Sequence, residues 1–103
     1  MLTMKRFSVV YRLKEQYYHI PCFTYIKATT LLRKAHSTPF GKPIGIYDAK
    51  TELFKWGPLQ QSLYNTLSLG EQGRQGSVII DRVQLLRRQD ERLAEEEIPL
   101  DLY

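Results

Sequence analysis

A single cysteine, Cys22, excludes an internal disulfide, and with it the cross-linked scaffold of small secreted domains. Histidine is nearly as scarce, with His19 and His36 alone. A structural zinc takes four ligands, usually Cys and His in paired short spacings. His19, Cys22 and His36, with Glu15 the one acid near them in sequence, do not make that set. Long apolar runs are also missing. The opening MLTMKRFSVVYRL places charge inside its apolar stretch, so it lacks the apolar segment of about 7–15 residues found in a secretory signal. Nothing approaches the roughly 18 apolar residues that span a bilayer. A cytoplasmic protein without membrane contact is the expectation.

What is present fits one modest domain. The chain has 103 residues, 43% hydrophobic and 25% charged, which is the composition of a folded globular protein. Charge is unevenly spread. Residues 1–58 carry ten Lys/Arg and three Asp/Glu, whereas residues 59–103 carry five and eight. A basic body followed by an acidic end favours anionic partners for the body.

Period-two alternation marks Lys5–Lys14 as a half-buried strand. Phe7, Val9, Tyr11 and Leu13 fall on one face, and Arg6, Ser8, Val10 and Arg12 on the other. KEQ reads as a short turn into a second strand, Tyr17–Ile26, and so as an antiparallel hairpin. Thr29 or Thr30 then caps a short helix, Thr30 to His36. Ile44–Tyr47 and Glu52–Trp56 form a second hairpin, with Asp48 opening its turn. Pro58 starts a second helix, where Leu59, Leu63 and Leu67 recur every four residues. LGEQGRQG reads as a glycine-punctuated loop and Ser77–Leu86 as a fifth strand, although Ile79, Val83, Leu86 and Leu93 also fit a helical stripe. The predicted fold is α+β: a two-layer sandwich of one mainly antiparallel sheet of about five strands, with two short helices on one face, in the order β-β-α-β-β-α-β. Residues 1–88 form the domain, and residues 89–103 an acidic helical or extended tail.

Candidate chemistry is sparse. Within a regular strand His19 and Cys22, three positions apart, point to opposite faces; a bulge at Pro21 is what would reunite them. Cys22 then reads as a small buried apolar residue. Tyr17 and Tyr25 share the face of His19 by the same alternation. GEQGRQG lacks both the G-x-G of a dinucleotide site and the G-K-[ST] ending of a P-loop. No nucleophile, base and orienting group form a recognisable set. No catalytic residue, cofactor or metal is expected.

Two binding readings remain. In the first, the protein is a non-enzymatic protein-interaction module: an adaptor, an inhibitor or a small subunit of a complex. It uses an exposed sheet edge and the apolar-acidic end EEEIPLDLY, with Ile98, Leu100, Leu102 and Tyr103 as contacts to a partner or a second copy. In the alternative, the basic, aromatic-rich N-terminal half binds nucleic acid, with Arg6, Arg12, Lys14, Tyr17, Tyr25, Lys27, Arg33 and Lys34 as contacts. Exposed rings stack on bases while cations neutralise phosphates.

Overall fold

The computed structural model describes residues 5–35 and 41–101, with side chains described over 5–34 and 41–90. Within them the order is β1 (Phe7–Leu13), β2 (Gln16–Cys22), α1 (Tyr25–Ala35), β3 (Lys42–Asp48), β4 (Leu53–Trp56), α2 (Pro58–Tyr64) and α3 (Leu69–Asp101). The α+β class and both hairpins are as expected. The four strands form one antiparallel sheet in the order β2-β1-β3-β4.

The first helix begins earlier than its sequence suggests. Thr24, not Thr29 or Thr30, caps it: Thr24 Oγ1 accepts from the Lys27 N–H at 3.2 Å. Thr29 and Thr30 instead donate back to the Ile26 carbonyl, at 2.8 and 2.9 Å. Tyr25 and Ile26 are therefore helical, and β2 stops at Cys22. In the second hairpin Asp48 opens the turn as expected, accepting from the Lys50 N–H at 2.9 Å. Pro58 opens α2 at its first turn, where a missing N–H leaves no helical bond unmade.

The predicted fifth strand is wrong. Ser77–Leu86 lies inside α3, and so does the glycine-rich segment before it. Ser68 supplies the start signal: its Oγ accepts from the Glu71 N–H at 3.3 Å, in an S-x-x-E arrangement. Helical spacing then carries Ile79 and Val83 onto the sheet, while Val78, which a strand would have placed beside Ile80, stays half exposed. The helix runs past Pro99 to Asp101. At 33 residues it is about 50 Å long, close to the longest dimension of the molecule, 54 Å.

The two-layer expectation also gives way, because helices cover both sheet faces. On one side α1 packs Ala28 and Leu32 against Phe7, Val9, Cys22 and Ile46. On the other, α3 packs Ile79 and Val83 against Val10, Ile44 and Tyr47. A β-bulge makes the second core possible. Val10 pairs with Gly45 and Tyr11 with Pro43, which leaves Ile44 as an extra residue. Ile44 thereby turns to the α3 side, whereas Ile46 faces α1. Each buried aliphatic or aromatic side chain contributes about 1.5–3 kcal/mol, so the α3 layer is a second core, equal in kind to the first.

Candidate functional site

His19 and Cys22 lie on opposite faces, as alternation predicts, and the β1–β2 register runs from Phe7↔Cys22 to Leu13↔Gln16 without a bulge at Pro21. Cys22 sits in the α1-side core. Burial pushes its thiol pKa up, partly opposed by Lys5 and Lys27.

His19 meets a partnership that no local motif announces. Its Nδ1 lies 3.0 Å from Ser8 Oγ and its Nε2 lies 2.6 Å from Asp90 Oδ2. Arg87 completes the group, donating from Nη1 to Ser8 Oγ and from Nη2 to the Lys5 carbonyl, both at 2.6 Å. Proton counting assigns the tautomer. A guanidinium only donates and a carboxylate only accepts. The His19 Nε2–H therefore donates to Asp90, and in the neutral ring Nδ1 accepts the Ser8 hydroxyl proton, while Arg87 donates to the same oxygen. Burial lowers the His19 pKa; Asp90 opposes this and Arg87 adds to it.

Serine, histidine and aspartate are thus in one chain of bonds, but the chemistry is that of a clamp. Ser8 is fully buried, and its oxygen is engaged by the Arg87 guanidinium. A nucleophile needs access to its substrate. Here the bonds tie β1, β2 and α3 together across the second core.

The predicted contact residues divide between the two faces. Arg6 is taken up by Asp48 through two parallel bonds, Nε to Oδ1 at 2.8 Å and Nη2 to Oδ2 at 2.7 Å, which holds the Asp48 carboxyl far below the usual carboxylate range. Lys14 occupies the β1–β2 turn with φ 59°. Lys27 and Lys34 are exposed on α1. Tyr25 opens α1 and packs edge-on against Phe7, 5.7 Å between centroids, so it does not share the face of His19. Ile98 and Leu100 lie in α3 with side chains outside the described residues, and Leu102 and Tyr103 lie outside them altogether.

Two depressions emerge from this division. On the α1 side, a groove of about 380 Å³ runs between α1, β4 and α2, lined by Tyr25, Leu32, Arg33, Ile46, Lys55 and Trp56 among others. Lys55 Nζ lies 5.5 Å from the centre of the Tyr25 ring. An adjoining depression shares Tyr25, Ile46, Lys55 and Trp56 with the groove and adds Leu53, which is 68% exposed. On the α3 side, a cleft of about 330 Å³ brings Arg12, Tyr17, Lys42, Trp56 and Arg74 together. Sequence reasoning counts Lys42, Lys55 and Trp56 in the basic-aromatic pattern without singling them out as contacts, and misses Arg74, because the elements that carry them meet only in three dimensions.

Among the described residues no group of three or more His, Cys, Asp or Glu side chains is placed to hold a metal. No helix there is long and apolar enough to cross a membrane. Comparison with protein-family models, with curated proteins and with solved structures finds no match to this chain.

Proposed function

We propose that the protein is a non-enzymatic protein-interaction module, and that its docking surface is the groove between α1, β4 and α2. The observation that carries this reading is the pairing of exposed apolar surface with uncompensated cations. Leu53 stands 68% exposed in a depression that adjoins the aromatic-lined groove and shares Tyr25, Ile46, Lys55 and Trp56 with it. Arg33 and Lys55 line the groove and have no carboxylate partner among the described residues. Contiguous exposed apolar surface marks interaction sites. The complementary partner is an acidic segment with a large apolar anchor. The groove suits it better than the sheet edges do. β2 is an edge strand that contains Pro21, and β4 is an edge of four residues, and both devices discourage strand addition.

Selection of a random twelve-residue peptide library on the immobilised protein tests this. Enriched peptides should share acidic residues spaced from a Trp, Phe or Leu, and should lose at least tenfold in affinity for the Arg33→Glu, Lys55→Glu variant. Enrichment without a shared pattern, or peptides indifferent to that variant, would reject the groove. The acidic end of the chain is itself such a segment. A synthetic peptide of residues 92–103 should therefore compete with the selected peptides, and its failure to do so would remove the tail from the reading.

A further inference from the structure

The cleft on the α3 side lies across the sheet from the groove, with Trp56 lining both. Its floor is a row across three strands. Arg12 on β1 stands directly opposite Tyr17 on β2 and directly opposite Lys42 on β3. The Arg12 guanidinium lies over the Tyr17 ring, 5.8 Å from its centre. Two like charges in direct cross-strand register repel each other. Neither Arg12 nor Lys42 has a carboxylate partner among the described residues. No carboxylate lines the cleft, and Arg74 at its wall is paired with Glu71, donating from Nε at 3.1 Å and from Nη2 to the second oxygen. The floor is therefore positive, and an anion placed on it relieves the repulsion between Arg12 and Lys42.

The walls specify what else that anion carries. Leu63 from α2 and Val78 from α3 are half exposed and line the cleft, together with the Trp56 ring. Gln60 and Gln75 add amide groups that both donate and accept. Water and inorganic anions gain nothing from such a wall, whereas a flat heterocycle gains from the rings and aliphatic groups and uses the amides at its edge. The volume, about 330 Å³, is at the lower end of the range for small-ligand sites.

We propose that this cleft binds a mononucleotide, with its phosphate on Arg12 and Lys42 and its base against Trp56, Leu63 and Val78. A phosphate with an attached base also occurs along single-stranded nucleic acid, so the experiment separates the two sources. Calorimetric titrations of the full chain with AMP, GMP, CMP and UMP are compared with inorganic phosphate and with a twelve-residue oligouridylate. The expected result is saturable binding of at least one mononucleotide, at least tenfold tighter than phosphate, falling at least tenfold in Arg12→Gln and in Lys42→Gln. Both residues are exposed, and an unchanged melting temperature for each variant confirms that the fold is kept. Arg82→Gln, an exposed α3 position outside the cleft, should bind as the unaltered protein does. Four results would overturn the proposal. These are no mononucleotide binding, phosphate binding as tight as the nucleotides, oligonucleotide binding without mononucleotide binding, or nucleotide affinity unmoved by both charge removals.

Discussion

Arg87 Nη1 reaches Ser8 Oγ at 2.6 Å across the interface between α3 and the sheet. Both residues are buried, with Ser8 at 0% and Arg87 at 8% exposure. A buried charge is tolerated when its donors are used, and Arg87 also donates to the Lys5 carbonyl. Truncation leaves the Ser8 oxygen and that carbonyl with a donor fewer in a closed interface. Arg87→Ala should lower unfolding stability by about 2–3 kcal/mol, as read from urea midpoints, while the exposed neighbour change Arg88→Ala should stay within about 0.5 kcal/mol. A double-mutant cycle with Ser8→Ala should show a coupling above about 0.5 kcal/mol; strict additivity would mean that the contact contributes nothing.

The same clamp makes stability depend on pH. His19 has a lowered pKa in the folded state, chiefly through burial and against the pull of Asp90. In the unfolded chain the imidazole titrates near its ordinary value of about 6.5. Between the folded and unfolded values the unfolded chain binds more protons, so stability rises with pH. The contribution is therefore complete above about pH 6.5 and is lost as pH falls through the lower folded value. Urea midpoints should drop from pH 7.5 to pH 5.5, and His19→Gln should flatten that slope. An equal slope in the variant would assign it to other groups.

Much of the sheet was legible because its signals are local. The alternation in FSVVYRL, the Asp48 turn and Pro58 each act within a few residues. The third layer was not legible. Three glycines at Gly70, Gly73 and Gly76 and the β-branched run Val78-Ile79-Ile80 argue against a helix. Ser68–Glu71 capping and the burial of Ile79, Val83 and Arg87 outweigh them. Reading Ser77–Leu86 as a strand leaves the Ser8 and Val10 face of β1 without a covering helix, yet both residues are fully buried. The clamp was beyond reach for a related reason: 71 positions separate His19 from Asp90. In the nucleic-acid set, Arg12 and Tyr17 stand opposite each other across β1 and β2, a pairing that needs the hairpin register. Strand alternation carried to Ile26 puts Tyr25 on the wrong face, because Thr24 caps the helix and ends the strand pattern before it.

Two glycines should respond in opposite directions to alanine. At Gly45 an added Cβ would lie 2.3 Å from the Lys55 carbonyl oxygen and 2.7 Å from the Phe54 ring. The first neighbour is backbone and cannot swing aside, so Gly45→Ala should cost at least about 3 kcal/mol. At Gly73 nothing lies within 4 Å of the added atom. Alanine is about 1 kcal/mol better than glycine in a helix interior, so Gly73→Ala should raise stability by about that much. Destabilisation at Gly73 would contradict the helical assignment of the glycine-rich segment.

Cys22 provides a probe of the α1-side core. It is 3% exposed, packed with Phe7, Val9, Ala28 and Leu32, and its Sγ lies 3.7 Å from the Ile20 carbonyl oxygen as a weak donor. Thiolate is the reactive form of cysteine, and burial disfavours it here. Labelling by a soluble aromatic disulfide at pH 8 should therefore be slow in the native protein and rapid in urea. The native rate should report opening of α1 from the sheet, since α1 is the layer that covers Cys22. Leu32→Ala removes a neighbour from the same cluster and should cost about 2–5 kcal/mol. It should accelerate native labelling in proportion to the lost stability, whereas Arg87→Ala, on the other face, should do so only if the domain opens as one unit. Rapid labelling of the unaltered native protein would show that the thiol is accessible, and would return Cys22 to consideration as a reactive residue.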